Sequence, residues 1–273
     1  MLKSLLMGWL IWVLVGCTPG PKMSTENLAQ LKALRATGAS NKSDVSVLRV
    51  QALQDAAMSL GAQSGLAWRA DQINGLVSTK SKLLDQAFNF NGLMLGAHVL
   101  PPILVTTNQS IKVDNVDTMR FSDQTYKILA QAKFVSMPPT WRDYLAMNYA
   151  FPPVPADNML PQNAIEQQLW QDAVAVGWQQ GLEQGDRILG DNLARLTRDL
   201  KGMILYRKLL AQRMVSMPYV ATSALGVTGD GEQMTINDQI MRITALPQLQ
   251  PNAAAWHPVV VKGAQSSADF AEQ

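Results

Sequence analysis

The chain contains a single cysteine, Cys17, and this one residue limits the possible fold more than any other feature. With no second cysteine, no disulfide can form within the chain, so the fold has to be held together by its own apolar core. Small exported domains usually depend on disulfides for stability, but residues 17–273 are numerous enough to bury a sizeable core without them. This length is compatible with one large domain or two modest ones.

Residues 1–16 are predicted to be a signal peptide. Lys3 is the only charged residue before an apolar run over residues 5–15. A run of this length is too short to span a bilayer as a helix, and it has the length expected for the apolar part of a signal peptide. The N-terminus therefore predicts export from the cytoplasm.

The residues at the end of this run predict lipidation. Leu14, Val15 and Gly16 before Cys17 resemble the site at which the lipoprotein signal peptidase cleaves. We therefore expect Cys17 to become the first residue of the mature protein, with diacylglycerol on its sulfur and an acyl chain on its amino group. A secretory signal followed by a chance cysteine is the alternative. An aspartate after the cysteine favours retention at the inner membrane, so Thr18 at that position favours the periplasmic face of the outer membrane.

The charge of the chain does not indicate a nucleic-acid partner. It has 23 Lys and Arg against 21 Asp and Glu, a formal net charge of +2. It therefore lacks the basic excess that attracts nucleic acid or anionic lipid. No segment after the signal peptide has 18 consecutive apolar residues, so the lipid is the expected membrane anchor. Apart from this covalent lipid no cofactor is predicted, and no direct binding of nucleic acid is expected.

The spacing of apolar residues predicts an α+β fold that is mainly helical, with long helices. Residues 45–88 have a helical pattern, which we interpret as two helices that divide near residue 70, with Asp44 as the first cap. Residues 162–215 carry an apolar stripe at helical spacing. This second region is either one long helix or two helices broken near Gly185–Gly190.

The β-structure is predicted to be a small antiparallel sheet. Residues 99–105 are predicted to form an edge strand or an extended segment interrupted by two prolines. Residues 111–113 and 118–121 have the alternation of short strands. Two further β-type runs flank Asp230 and Gly231, and an Asp-Gly pair between such runs is a strong signal for a hairpin turn. The sheet therefore includes a C-terminal hairpin.

Composition divides the mature chain into three parts. Residues 17–44 are small and polar, and they are predicted to be a lipidated tether with a short helix near residues 28–34. Residues 45–247 form the predicted α+β periplasmic domain, in which a proline- and aromatic-rich loop at 134–161 divides two halves. The composition then becomes small and polar again, so residues 248–273 are predicted to be a flexible tail.

Small residues recur at every fourth position in both helical regions. The glycines of this pattern are Gly61 and Gly65 in the first region and Gly177, Gly181 and Gly185 in the second. Glycine within a helix costs roughly 1 kcal/mol relative to alanine, so such a stripe is destabilising unless another segment has to approach closely. Two interpretations remain open: the two helices cross closely within one domain, or a helix of a partner protein docks on this face.

The chain is predicted not to be an enzyme. Its two histidines, His98 and His257, do not occur in a zinc-binding pattern. Neither a nucleophile elbow nor a phosphate-binding loop is present. Asp114, Asp117 and Asp123 lie close together in the sequence, but their spacing does not match a calcium-binding loop. We interpret these three as turn and cap residues, and no metal site is predicted.

Six segments of the chain together resemble a known family. They are Gly65-Leu66-Ala67-Trp68-Arg69, Leu84-Asp85-Gln86-Ala87-Phe88-Asn89-Phe90, Val99-Leu100-Pro101-Pro102, Pro138-Pro139-Thr140-Trp141-Arg142-Asp143-Tyr144-Leu145, Gly202-Met203-Ile204-Leu205-Tyr206 and Leu225-Gly226-Val227-Thr228-Gly229-Asp230-Gly231. In number and order they resemble the DotC family of type IVB secretion lipoproteins, which has plasmid-encoded members in IncI-type conjugation systems. The resemblance extends from about residue 45 to residue 256.

This resemblance implies a structural role. Members of the family are subunits of the outer-membrane core complex of a type IVB secretion or conjugative transfer system. The implied partners are a DotD-like lipoprotein and a DotH-like outer-membrane core protein, whose assembly the chain would assist, together with further copies of the chain in a ring. No catalytic residue is implied. The alternative functions are binding of the cell wall and binding of a small ligand, for which the loop at 134–161 offers the best candidate pocket.

Overall fold

The computed structural model describes residues 25–37 and 46–257. The helices of this part are α1 (Leu28–Ala33), α2 (Val47–Thr79), α3 (Ser81–Ala87), α4 (Arg142–Leu145) and α5 (Ala164–Ala211). Its strands are β1 (Val99–Leu100), β2 (Ile103–Asn115), β3 (Thr118–Ala130), β4 (Lys133–Phe134), β5 (Tyr219–Gly229) and β6 (Met234–Ala245). The predicted α+β, mainly helical class is confirmed.

Both long helices are more continuous than the sequence suggested. α5 is a single helix of 48 residues, and the glycines near its centre do not break it. α2 does not divide near residue 70, so that prediction is wrong; it continues to Thr79 because Ala70 and Ile73 extend its buried apolar face. The residue predicted to cap this helix, Asp44, lies outside the described residues.

The strands form three separate antiparallel pairs: β1 with β4, β2 with β3, and β5 with β6. The predicted C-terminal hairpin is confirmed as β5 and β6. The two short strands predicted at 111–113 and 118–121 are the outer ends of strands that are each 13 residues long. The segment predicted at 99–105 contains β1 and the inner end of β2, whereas the middle of β2 and the inner part of β3 were missed because polar, solvent-exposed residues interrupt the apolar alternation there.

The described chain folds as two compact units, each built from discontinuous segments. Unit 1 contains residues 25–37, 46–70 and 148–185, and unit 2 contains residues 71–147 and 186–257. One boundary lies within the proline-rich loop at 134–161 that was expected to divide the chain. The other two boundaries, within α2 and α5, were not predicted.

The core of unit 1 is centred on Trp170, which is completely buried. Its indole Nε1 donates a hydrogen bond of 2.9 Å to the carbonyl oxygen of Leu31 in α1. Leu31 and Leu34 are themselves buried in this core. Residues 25–37 are therefore part of the folded body, which corrects the C-terminal extent of the predicted tether; residues 17–24 and 38–44 lie outside the described residues.

The core of unit 2 joins the last turns of α5 to the inner ends of both long hairpins. Tyr206 and Leu209 of α5 are buried against Leu104 of β2 and Val215. A Cβ at Gly202 would lie 2.6 Å from the Ile103 side chain, so α5 needs a glycine there too. This glycine belongs to no repeat, so the sequence pattern did not predict a close contact there.

Residues 248–257, predicted to be the first part of a flexible tail, are instead hydrogen-bonded to the segment that follows α5. The backbone nitrogen of Gln250 donates to the carbonyl oxygen of Met214 at 2.9 Å, and that of His257 donates to Gln212 at 2.9 Å. The indole of Trp256 donates to the carbonyl oxygen of Gln250 at 2.8 Å. Residues 258–273 lie outside the described residues.

Candidate interaction surfaces

The predicted glycine stripe lies where α2 and α5 cross within unit 1. A Cβ added at Gly177 would lie 2.8 Å from the carbonyl carbon of Met58, and one at Gly61 would lie 2.9 Å from the backbone nitrogen of Trp178. Cβ atoms do not approach backbone this closely, so only glycine permits the crossing. Backbone atoms lie equally close to Gly65 and Gly181, whereas a Cβ at Gly185 would meet the side chain of Arg69. Of the two interpretations, the structure shows the crossing within the domain, and these helix faces are covered.

A part-buried ion pair fixes the start of α5 in unit 1. The Arg49 guanidinium donates from Nε and Nη2 to the two carboxylate oxygens of Glu166, at 2.7 and 2.9 Å. Arg49 also donates to the carbonyl oxygens of Asn158 and Leu160. The Glu166 side chain is only 3% exposed. Hydrogen bonds from Arg49 hold the pKa of Glu166 below its usual range, although burial acts in the opposite direction.

A groove of about 610 Å³ in unit 2 is partly formed by residues 135–140 of the proline-rich loop. Its lining is mainly apolar, with the buried Asp199 carboxylate among the polar groups. Asp199 accepts hydrogen bonds from the Tyr144 hydroxyl at 3.1 Å and from the Arg198 guanidinium at 2.9 Å. Burial raises the pKa of Tyr144 to about 12, and the negative charge of Asp199 adds to this effect. The carboxylate therefore has partners in the protein itself.

The outer end of the β2–β3 hairpin has an apolar side that the described chain leaves uncovered. Ile111 lies directly opposite Phe121, and Val113 directly opposite Met119. Side chains two residues apart on a strand point to the same side, so these four residues form one surface, the β2–β3 face. They are 53–67% exposed. Exposed apolar surface of this size marks an interaction site.

The opposite side of the same hairpin end is polar and has its own internal partners. Lys112 and Arg120 lie directly opposite each other. Both form ion pairs with Asp114, at 3.2 and 3.0 Å. The hairpin is thus amphipathic, with one side adapted to water and the other to an apolar partner.

The β5–β6 hairpin is amphipathic in the same way. Val227 lies opposite Ile236, and Met234 is on the same side as Ile236. These three residues form the β5–β6 face and are 63–66% exposed. On the other side, Thr228 donates a hydrogen bond of 2.6 Å to the Asp238 carboxylate. The two hairpins therefore present the same kind of surface independently.

The remaining predicted site residues either form a hairpin turn or lie outside the described residues. The Asp230 carboxylate accepts from the backbone nitrogens of Glu232 and Gln233, both at 2.9 Å, so Asp230 and Gly231 form the hairpin turn. The Asp230 pKa lies below its usual range because of these backbone hydrogen bonds. The lipidation residue Cys17 and the recognition residues Leu14, Val15 and Gly16 lie outside the described residues.

The aspartates interpreted as turn and cap residues divide into two groups. Asp117 is in the β2–β3 turn, where it accepts a hydrogen bond from Thr118 at 3.1 Å. Asp114 and Asp123 lie on strands, so the interpretation is wrong for these two. His98 precedes β1 with a left-handed φ of 57°. In the described part of the chain, no group of three His, Cys, Asp or Glu residues is placed to hold a metal ion.

Sequence reasoning missed the two hairpin faces and the Arg49–Glu166 pair. The alternation of Ile111 with Val113 and of Met119 with Phe121 was a usable signal for strands with one apolar side. Nothing in the sequence showed that this side is left uncovered. No sequence signal connects Arg49 with Glu166, because 117 positions separate them.

Two findings concern the chain as a whole. Within residues 25–37 and 46–257, no helix combines the length and the apolar character needed to cross a membrane. A family model described as type IV secretory system, conjugal DNA-protein transfer, matches residues 47–258. No curated protein matches the chain.

Proposed function

Because the chain belongs to the type IV secretory system family of conjugal DNA-protein transfer, we propose that it is a structural lipoprotein of the outer-membrane core complex of a type IVB system. In this proposal it is a DotC-type subunit without catalytic activity. It lies at the periplasmic face of the outer membrane. A DotD-like lipoprotein, a DotH-like core protein and further copies of the chain in a ring are its proposed partners.

The observation that supports a structural role most directly is the pair of uncovered hairpin faces. Soluble proteins that act alone rarely expose apolar surface of the kind seen on these two amphipathic hairpins. A subunit that is surrounded by others in a large complex uses such sides as contact surfaces. The family match independently connects the chain with a multi-component secretion machine.

The proposed anchor is the lipid on Cys17. Two or more acyl chains hold a protein stably on a membrane, whereas one gives only marginal binding. A Cys17→Ser variant is therefore expected to retain its folded body and to lose outer-membrane attachment. Conjugal DNA transfer by this variant should fall to the level of a strain that lacks the gene. Transfer frequency, membrane fractionation and protease resistance of the body measure the three effects.

A second variant tests whether the protein must be at the outer membrane, independently of whether it is lipidated. Thr18→Asp keeps Cys17 but introduces the residue that favours retention at the inner membrane. It should remain lipidated and membrane-bound, yet transfer as poorly as Cys17→Ser; a Thr18→Ser variant is the matched control and should transfer normally. Wild-type transfer by Cys17→Ser would contradict the proposal.

The groove in unit 2 supports a second candidate function, the binding of a small ligand. Its volume of about 610 Å³ lies in the range of known ligand pockets, and it contains the loop residues that the sequence analysis expected to line a pocket. A ligand at 100 times its Kd stabilises a protein by about 2.7 kcal/mol, which raises the Tm of a chain of this size by about 5–10 °C. Thermal unfolding in a metabolite library tests this, and an unchanged Tm throughout argues against it.

A further inference from the structure

The two hairpin faces differ in their electrostatic surroundings. The β5–β6 hairpin has Asp230 and Glu232 at its turn, Asp238 on its polar side and a single cation, Arg242. The β2–β3 hairpin has three cations, Lys112, Arg120 and Lys127, against three aspartates. The first hairpin therefore has an excess of two negative charges, and the second is neutral.

We propose that the β2–β3 face of one copy packs on the β5–β6 face of a second copy. Two-stranded ribbons stack face to face about 10 Å apart, so that the apolar side chains of both interdigitate. The inference rests on the proposed function in one respect: it specifies the contact by which copies associate in the ring. The occupant of each face is thus the other hairpin of a neighbouring copy.

Charge disfavours the pairing of two β5–β6 hairpins. That pairing brings together two hairpins that each have an excess of two negative charges, and like charges in a contact are destabilising. In the mixed pairing the acidic hairpin meets a neutral hairpin instead. The cations of that hairpin, Lys112 and Arg120, have side chains that remain 76% and 70% exposed.

Symmetry distinguishes the mixed pairing from a pairing of two β2–β3 hairpins. A contact between identical surfaces closes as a two-fold dimer, whereas a contact between two different surfaces continues from copy to copy and forms a ring when the rotation between copies closes. The pairing of two β2–β3 hairpins also leaves every β5–β6 face uncovered. The mixed pairing covers both faces of every copy in a closed ring.

The size of the faces indicates how strong each contact is. Each face consists of only three or four side chains that are 53–67% exposed, so one contact buries less than the roughly 1,200–2,000 Å² of a stable complex. One contact alone is therefore weak. In a closed ring each copy makes two such contacts, and the ring is stable when a single pair is not.

Cysteine cross-linking tests this contact without interference from native thiols, because Cys17 is the only cysteine of the chain. Two differently tagged full-length copies, Met119→Cys and Met234→Cys, are expressed together in cells that carry the transfer genes and treated with a short bis-maleimide. We expect a covalent dimer of the two tags. Either variant expressed alone should give none, and neither should a Lys82→Cys copy, altered on α3, together with Met234→Cys.

A second substitution tests whether the cross-link requires the apolar character of the β2–β3 face and not only the nearness of the two cysteines. Phe121→Asp, added to the Met119→Cys copy, should reduce the dimer yield at least about tenfold, because the contact would bury a charge. Asn108→Asp changes an exposed residue on the other side of the same hairpin and should leave the yield unchanged. Protease resistance confirms that each variant is folded.

Three results overturn the inference: no mixed dimer, a dimer formed by Met119→Cys alone, or a mixed dimer that Phe121→Asp does not reduce. Cross-linking measures only the contact between copies. Its failure in cells with normal DNA transfer therefore rejects this contact and leaves the lipoprotein role intact. Failure of the role itself is measured separately by the Cys17→Ser variant.

Discussion

Replacement of Gly177 by alanine is expected to lower the free energy of unfolding by about 3 kcal/mol. A Cβ there would lie 2.8 and 2.9 Å from the carbonyl carbon and Cα of Met58. These are backbone atoms of α2, so no side-chain rotation relieves the contact and the two helices must separate. The loss exceeds the roughly 1 kcal/mol that alanine gains in helix propensity. Thermal or urea unfolding followed by circular dichroism measures the change.

The same helix provides two matched controls. Gly190→Ala places its Cβ where no other atom lies within 4 Å, so it should stabilise the protein by up to about 1 kcal/mol. Gly185→Ala meets the Arg69 side chain at 2.8 Å, and this flexible side chain can move. Its effect should lie between the other two. Equal effects of Gly177→Ala and Gly190→Ala would show that the helices do not cross this closely.

Removal of the Arg49 side chain has a comparably large expected effect. Arg49→Met should lower the free energy of unfolding at pH 7 by about 1–3 kcal/mol, because it leaves the Glu166 carboxylate without its cation. The double variant Arg49→Met, Glu166→Met removes both charges and should recover most of the loss. Urea unfolding of wild type, both single variants and the double variant gives the interaction energy of the pair. Equal stability of Arg49→Met and wild type would contradict the geometry.

The contribution of this pair depends on pH in a defined direction. The folded-state pKa of Glu166 is depressed, mainly by the hydrogen bonds from Arg49. The pair therefore contributes stability above the unfolded-state pKa of about 4.3, and this contribution is lost as the pH falls through the lower folded-state pKa. The difference between wild type and Arg49→Met should be largest near neutral pH and should decrease in acid, as Glu166 becomes protonated first in the variant and then in wild type.

Sequence reasoning succeeded where neighbouring residues carry the information. The glycine spacing on α2 and α5 predicted a close helix contact, and the Asp230-Gly231 pair predicted the C-terminal turn. Both signals are local, because a helix face and a tight turn are each defined within a few residues. The division of α2 near residue 70 was wrong since burial, which the sequence does not show directly, extends that helix.

The predicted tether and tail show that composition alone does not determine where the folded domain begins and ends. Their small, polar composition predicted segments outside the core. In the structure, Leu31 and Leu34 are buried, and Leu249 pairs with Val215. A few apolar residues within a polar stretch are enough to bind it to the body when complementary surface lies nearby, and that surface is formed by residues far away in the chain.

By itself, the sequence determined that no internal disulfide is possible, that the fold is α+β with two long helical regions, and that small residues line one side of each. It also carried the resemblance that led to the proposed lipoprotein role. The tertiary structure alone decided that α2 covers the glycine stripe of α5, that Arg49 meets Glu166, and that residues 25–37 and 46–257 leave the two hairpin faces uncovered. The physical reason is that periodicity shows which side of an element is apolar, whereas the element that covers that side depends on contacts between distant residues.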